Sequence, residues 1–340
     1  MSISVVIPLY NKAPYICRAL TSVLRQTIQD FECIVVDDGS TDGGGDLVRK
    51  MGDGRIRLVR QANGGVSQAR NKGISVARHP LIAFLDADDE WQPGFLEASL
   101  EMHREHPNIV ASFTNYQQEP EGNPAFHGTK LGARVLIDYF AFCLCHHGCG
   151  MCSSAVMARR DTLLGIGGFP AGRTLGEDLD TWARLAWSGP VAFIPEVLST
   201  YHRDASASSK QGAYLDVFPT YELWRASRRV PPALAASSAA YAYFFRFYEI
   251  FARISTQETS GAKALLSELP WFKRFSVMGC HAHLGLLFPW CQRYARGAGF
   301  RLGCWLLTLR WRERGGGCNS RRGISWNQYG ALERIDTPAS

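Results

Sequence analysis

Short apolar runs that end in acids constrain this chain more than any other feature. Residues 31–36 (Phe-Glu-Cys-Ile-Val-Val) lead straight into Asp37 and Asp38, and residues 81–85 lead straight into Asp86-Ala87-Asp88-Asp89. Residues 3–7 form a similar run that reaches Tyr10 and Asn11. Between these runs, residues 14–26 hold Ile16, Leu20, Val23 and Leu24 at helical spacing, and residues 66–76 read as a helix behind the turn at Asn63, Gly64 and Gly65. Residues 55–60 read as another strand, and Pro93 stands where a helix can begin. Near-continuous apolar strands alternating with helices predict an α/β fold, with a mostly parallel sheet covered by helices on both faces.

Further along, strands are predicted over residues 110–114, 153–158 and 191–194, and helices over 134–142 and 176–187. From residue 213 the pattern is mostly helical, over 215–228, 233–254, 263–269, 272–296 and 301–312. Gly315, Gly316 and Gly317 then open a sparse tail. The expected division is an α/β domain over 1–210, a helical region over 211–314 and a flexible tail over 315–340.

With 46% hydrophobic and 20% charged residues in 340, the chain is neither disordered, collagenous nor a multispan membrane protein. Ten Cys are too few for a disulfide scaffold. The first ten residues carry no basic segment, and Pro8 interrupts their apolar run, so a strand is expected there and not an export signal. The expected location is the cytoplasm. Residues 271–340 hold eleven Lys and Arg against three Asp and Glu, so the whole basic excess lies in the last seventy residues.

In an open parallel sheet, ligands bind at the carboxyl ends of the strands. Asp37, Asp38, Asp86 and Asp88 should therefore share one edge with Tyr10 and Asn11. Acids gathered there repel, and Mg²⁺ or Mn²⁺, which prefer carboxylate and phosphate oxygens, relieve that repulsion. Either acidic cluster alone reads equally well as a solvated turn. Both together, each directly after a buried strand, point to a site.

The segments Val5-Val-Ile-Pro-Leu-Tyr-Asn11, Ile34-Val-Val-Asp-Asp-Gly-Ser-Thr-Asp42, Asn63-Gly-Gly-Val-Ser-Gln-Ala-Arg-Asn-Lys-Gly73 and Phe84-Leu-Asp-Ala-Asp-Asp89 stand in the order seen in glycosyltransferase family 2. Over roughly residues 3–205 the chain resembles that family. Residues 154–170 are similar to its acceptor-side strand and Gly-Gly-Phe turn, and residues 176–182 to its Glu-Asp catalytic motif. The resemblance implies an inverting hexosyltransferase on the GT-A fold, of the kind used in polysaccharide and cell-envelope synthesis. Its donor would be a nucleotide-diphosphate sugar, with a UDP-sugar expected, and its acceptor a hydroxyl of a glycan or lipid-linked molecule. It further implies that Pro8, Tyr10, Asn11, Asp37, Asp38, Arg70 and Asp86 form the nucleotide-sugar site. Tyr10 would lie against the base, Asp38 would accept the uracil N–H, Asp37 would shape the loop and Asp86 would hold the ribose. Asp88 would bind a divalent cation, Mg²⁺ or Mn²⁺, through which the diphosphate docks. Arg70 would contact ribose or diphosphate, or equally would be a helix residue paired with an acid.

By the same resemblance Asp178 is the candidate base, flanked by Glu177. A carboxylate within hydrogen-bond reach of the acceptor hydroxyl can take its proton. Asp178, Trp182, Leu185 and Ala186 fall at i, i+4, i+7 and i+8, so the carboxylate opens the apolar stripe and is expected to point inward. The alternative is a first-turn acid that complements the helix dipole. One departure is the segment Tyr201-His202-Arg203-Asp204, where the family often has Tyr-Arg-X-His; His202 reads as an ordinary partly buried residue.

Residues 142–152 hold four Cys and two His, but lack the second ligand pair of a usual zinc site, so an acceptor-pocket lining is the better reading. No Gly-X-Gly-X-X-Gly, Gly-Lys-Ser/Thr or Gly-X-Ser-X-Gly motif is present, which removes the main support for a dehydrogenase, a P-loop nucleotidase or an α/β-hydrolase. A nucleotidyltransferase would need a glycine-rich loop near residues 11–14. A catalytically silent subunit of a glycan-assembly complex is the other alternative. Residues 275–292 carry no Lys, Arg, Asp or Glu, yet hold His281, His283 and Pro289. Residues 271–314 therefore read equally as interfacial helices on an anionic membrane and as packed helices with a basic outer face. No nucleic-acid partner is expected.

Overall fold

The computed structural model describes residues 2–120, 122–126, 134–136, 138–145, 151–173, 176–202, 232–235, 237–239 and 241–242. The chain divides into two compact units, Met1–Tyr139 with Met151–Gln211 and Ala331–Ser340, and Phe140–Gly150 with Gly212–Gly330.

The first unit begins with β1 (Ile3–Leu9), α1 (Ala13–Leu24), β2 (Phe31–Asp37), α2 (Gly44–Lys50), β3 (Ile56–Arg60), α3 (Val66–Val76) and β4 (Leu81–Phe84). β5 (Glu90–Trp91), α4 (Phe95–Glu105), β6 (Ala111–Glu119), β7 (Asn123–Pro124) and β8 (Arg134–Leu136) follow, and then α5 (Tyr139–Cys145), whose residues after Tyr139 belong to the second unit. A 3₁₀ turn (Ser153–Ala155), β9 (Val156–Arg159), α6 (Arg160–Gly165), α7 (Glu177–Ser188) and β10 (Val191–His202) complete the series. Among the described residues the strands form one sheet in the order β3-β2-β1-β4-β9-β6-β10-β5, with β7 on β6 and β8 on β10. β3, β2, β1 and β4 are parallel, as are β6 and β10, while β9 runs antiparallel between β4 and β6.

Every residue of β1 is buried, because helices cover both faces of the sheet. Ile3, Val5, Ile7 and Leu9 pack with Ile16, Ala19, Leu20 and Val23, the apolar stripe of α1. On the other face α3 comes so close that a Cβ at Gly73 would collide with Val6. β10 is longer than its apolar run of 191–194 suggests, because the register against β6 shifts twice between Ile194 and Ser199. Pro195 lies in that irregular stretch, where a residue without an N–H costs no ladder bond.

Two predicted boundaries are corrected. The helix expected over 134–142 is a strand over Arg134–Leu136, paired with Val191–Phe193 of β10, and the helix starts only at Tyr139. A short apolar run fits either period, and the open backbone edge of β10 decides the matter. The strand expected over 153–158 is a 3₁₀ turn followed by β9, because the chain must turn before it meets β4.

In the second unit, the ring of Phe140 stands edge-on to Tyr241 at 5.3 Å, and Pro232–Leu234 form a 3₁₀ turn. Apart from the residues 232–242 given above, the helices expected beyond residue 213 and the tail over 315–340 lie outside the described residues. Among the described residues no helix is long and apolar enough to cross a membrane.

Candidate active site

The strand order reverses at β1, with β2 and β3 on one side and β4 on the other. The β1–β4 pairing stops at Val6 and Phe84, whereas the β1–β2 pairing continues to Leu9 and Asp37. β1 therefore projects past the end of β4 and leaves a crevice at the carboxyl edge, the usual ligand position in open α/β sheets. The loops after β1, β2 and β4 all open there. Pro8 is buried within the projecting part of β1, where it needs no partner on the β4 side. Tyr10, two residues on, is 49% exposed and presents a free aromatic face.

Asp37 and Asp38 are buried and hold loops. Asp37 accepts the Ser40 N–H at 2.9 Å and pairs with Arg60 at 3.3 Å. Asp38 accepts Gln61 Nε2 at 2.8 Å and the Gly64 and Gly65 N–H groups at 2.9 and 2.8 Å. Asn11, with φ of 49°, donates its N–H to Ser40 Oγ at 3.1 Å and accepts the Thr41 N–H at 2.9 Å. The β1 and β2 loops are thereby stitched together beside Tyr10.

The acidic loop after β4 is arranged residue by residue. Asp86 is half-buried and pairs with Arg70 Nη2 at 2.8 Å, and its N–H donates to Ser154 Oγ at 3.1 Å. Ser154 Oγ in turn donates to Asp89, and the Ser154 carbonyl accepts Trp91 Nε1 at 2.7 Å. Asp89 is fully buried and also accepts the His202 N–H at 3.0 Å, which ties the end of β10 to this loop. Burial, with Asp86 and Asp88 nearby, pushes the Asp89 carboxyl well above the usual range. Asp88 pairs with Lys12 Nζ at 2.8 Å, and its carbonyl accepts Arg18 Nη2. His202 closes β10 with its ring Nε2 3.1 Å from Glu90 Oε1; Arg203 and Asp204 lie outside the described residues.

The opposite wall is the start of α7. Gly176 caps it at φ 75°, a left-handed conformation that glycine adopts without strain. Glu177 is buried and meets Arg70 Nη1 at 2.9 Å. Asp178 accepts the Leu179 N–H at 2.8 Å. Burial and the neighbouring Glu177 push the Asp178 carboxyl up to about 7, against the downward pull of the Arg70 guanidinium. Arg70 is itself buried and lies 5.1 Å from the Phe169 ring centroid. Phe169 packs edge-on to Phe84 and Trp182, and Asn71 brackets its backbone with bonds of 2.7 and 2.8 Å. Arg184 pairs with Asp180 at 2.6 Å and donates to the Gly168 carbonyl at 2.7 Å. These contacts fix the Gly-Gly-Phe turn against α7.

The structure thus brings Asp86, Arg70, Glu177 and Asp178 into one cluster, with Asp88 on the same loop and Tyr10 and Asn11 on the same sheet edge. Pro8, Asp37 and Asp38 stand behind that edge as supports. Sequence reasoning missed Lys12, Arg18, Asn71, Asp89, Ser154 and Arg184 as parts of the site. Lys12 directly follows Asn11 and Asp89 directly follows Asp88, so adjacency was the available signal for those two.

Among the described residues no group of three or more His, Cys, Asp or Glu could hold a metal ion by itself. Mg²⁺ and Mn²⁺ commonly use one or two carboxylates and complete their shell with phosphates and water. Asp88, with Asp86 two residues away, supplies hard oxygen donors that fit a cation of that kind. In the stretch 142–152, Cys143 is buried and Cys152 is a free thiol, while residues 146–150 and the side chains of Leu144 and Cys145 lie outside the described residues. Burial and the nearby acids Asp89 and Asp86 push the Cys152 thiol up.

Residues 4–164 match the family model described as glycosyl transferase family 2. Among curated proteins, the chain is 39% identical over 132 residues to glycosyltransferase GlyG of Streptococcus pneumoniae, covering 37% of this chain and 44% of that one. It is 46% identical over 89 residues to the uncharacterized glycosyltransferase EpsJ of Bacillus subtilis, covering 26% of each. The match therefore spans less than half the length of these relatives. Among solved structures, S. aureus TarS 1–349 in complex with UDP-GlcNAc superposes with a TM-score of 0.66 at 18% identity, over 94% of this chain and 93% of that one. Mannosyltransferase PcManGT from Pyrobaculum calidifontis, in complex with GDP-Man and Mn²⁺, gives 0.56 at 18% identity, over 90% and 83%. At that identity the likeness shows a shared fold, the GT-A type.

Proposed function

The chain carries a glycosyltransferase family 2 domain over residues 4–164, and on that premise we propose that it is an inverting glycosyltransferase with Asp178 as general base. The observation that carries this reading is the cluster of Asp86, Arg70, Glu177 and Asp178 beside the crevice at the end of β1 and β4. It joins a donor-side acid to a carboxyl whose affinity for protons suits proton transfer near neutral pH.

The nucleotide base rests on the exposed Tyr10 ring, where stacking is tolerant of base identity. Asp38 keeps the 61–65 loop closed beneath the base through its bonds to Gln61, Gly64 and Gly65. Asp86, oriented by Arg70 and Ser154, accepts a ribose hydroxyl. Asp88 holds the divalent cation, which when bound neutralises the diphosphate and offsets charge that develops on the leaving group. Asp178 accepts the proton of an acceptor hydroxyl as that oxygen attacks the anomeric carbon. The bond from that carbon to the diphosphate oxygen breaks on the opposite face, and configuration inverts. Glu177, paired with Arg70, lines the acceptor side.

We assign this chemistry to residues 1–210. A UDP-sugar is the donor and a glycan or lipid-linked hydroxyl the acceptor. Residues 271–314, with their basic and aromatic side chains, bring the domain to an anionic cytoplasmic membrane surface.

The test is a panel of UDP- and GDP-sugars scored by thermal shift with and without Mn²⁺. One donor class should stabilise the protein only with the metal present. Equal shifts for every nucleotide, independent of metal, contradict the assignment.

A further inference from the structure

Lys12 and Asp88 are separated by 76 residues, yet their charged atoms meet at 2.8 Å across the crevice. Both side chains are largely enclosed, at 20% and 12% exposure. Lys12 ends the loop after β1, and Asp88 sits in the loop after β4. Arg18, one and a half turns into α1, donates to the carbonyl of the same Asp88. The Tyr15 ring centroid is 5.7 Å from Lys12 Nζ and 5.6 Å from the Arg18 guanidinium carbon. Two basic groups thus converge on one acid, one at its carboxylate and one at its backbone.

The three neighbouring acids are balanced in different ways. Asp86 has Arg70. Asp89 is buried and accepts hydrogen bonds from Ser154 Oγ and the His202 N–H. Asp88 has Lys12. Lys12 Nζ bonds Asp88 Oδ2, so a divalent cation on the same carboxylate would sit close to the ammonium, and two cations at one carboxylate repel. Lysine is suited to leave: its ammonium is a compact charge on a flexible four-carbon stem. Arg18 bonds a carbonyl, so its hold on the loop does not depend on the charge of Asp88.

We propose that Lys12 is a displaceable counter-ion, which holds Asp88 while the cation site is empty and moves to the donor diphosphate when cation and donor bind. The inference rests on the reading of Asp88 as the cation ligand. It makes Lys12 a positioning residue that holds the Asp88 carboxylate first and the donor phosphates afterwards. The Tyr15 ring, within cation–π range of the ammonium, adds to its hold at the first of these positions.

Calorimetric titration with Mn²⁺ alone, without nucleotide, tests this in the full-length protein and in Lys12→Met, Lys12→Arg and Asp88→Asn variants. Lys12→Met should bind Mn²⁺ about 5- to 30-fold more tightly than wild type, the effect of removing one competing charge at close range. Lys12→Arg, which keeps the charge, should stay near wild type. In a second titration, UDP at saturating Mn²⁺ should bind Lys12→Met more weakly than wild type. If Asp88→Asn loses Mn²⁺ while Lys12→Met binds it no more tightly than wild type, the role of Lys12 is overturned and that of Asp88 stands. If Asp88→Asn binds Mn²⁺ as wild type does, the reading of Asp88 itself fails, and the proposal for Lys12 with it.

Discussion

Arg70 reaches Glu177 across 107 residues of sequence, with Nη1 2.9 Å from Oε1, while its other terminal nitrogen holds Asp86 at 2.8 Å. One buried cation therefore joins the loop after β4 to the first turn of α7. Desolvation of the guanidinium is compensated by two carboxylates and the Phe169 ring. The distance between donor-side and acceptor-side groups depends on this residue.

Arg70→Gln should leave two acids facing each other without a cation. We expect a stability loss of about 3 kcal/mol, typical of breaking a buried ion pair from one side. Arg70 also pulls the Asp178 carboxyl down, so its removal should move the acidic limb of the kcat/KM profile above about 7. Denaturant melts and a pH–rate profile check the two effects separately. An unmoved limb would mean that Arg70 is structural only.

Asp178→Asn keeps shape but cannot take a proton. Turnover should fall by roughly 10²–10⁴, with nucleotide-sugar binding retained. The same variant has a stability signature. The wild-type carboxyl is raised from 3.8 to about 7 by folding, so the folded state binds the extra proton between those values and loses stability as pH rises through them. Asp178→Asn should therefore melt higher than wild type at pH 8, with the difference vanishing below pH 4. A variant less stable than wild type at pH 8 would contradict the raised proton affinity.

Much of this site was legible because strand ends are local features. The runs 3–7, 31–36 and 81–85 became β1, β2 and β4, each extended or trimmed at its carboxyl end, and 66–76 became α3 without change. Once those strands were placed in parallel, Asp86 and Asp88 had to share an edge with Tyr10. What the sequence withheld is long-range pairing. Nothing near Lys12 announces Asp88, and nothing near Ser154 announces Asp86 or Asp89. Arg134–Leu136 became a strand because β10 offered an unpaired edge, a fact about another part of the chain. The role of Asp38 shows a subtler limit. A strand-end acid expected to face ligand is buried, and it binds the backbone of Gly64 and Gly65.

That finding gives a contrast between two edge residues. Asp38→Ala should cost about 1–3 kcal/mol of stability, because buried N–H groups lose their acceptor. Tyr10→Ala should leave the melting temperature near wild type, since the ring is half exposed, while weakening nucleotide binding by about 1–3 kcal/mol. Thermal melts and nucleotide titrations on both variants separate support from contact. Loss of stability in Tyr10→Ala would remove it from the binding surface.

Gly168 has φ of 66°, and a Cβ there would collide with Asn71 Oδ1. Gly168→Ala should shift the turn that carries Phe169, and with it the packing beneath Arg70. The expected cost is about 1–3 kcal/mol for a strained position. The acidic limb of the pH–rate profile should also move, because Arg70 then sits differently toward Asp178. A stable variant with an unchanged profile would show that the turn does not position Arg70.

The stereochemistry of the transferred sugar tests the central claim most directly. With a donor identified by metal-dependent stabilisation, proton NMR of the first-formed product reads the anomeric configuration before any rearrangement. Direct attack by a hydroxyl deprotonated by Asp178 predicts a configuration opposite to that of the donor, with the product forming roughly 10²–10⁴-fold more slowly in Asp178→Asn. A product of retained configuration would contradict single-step transfer and the role of Asp178 as the acceptor's base.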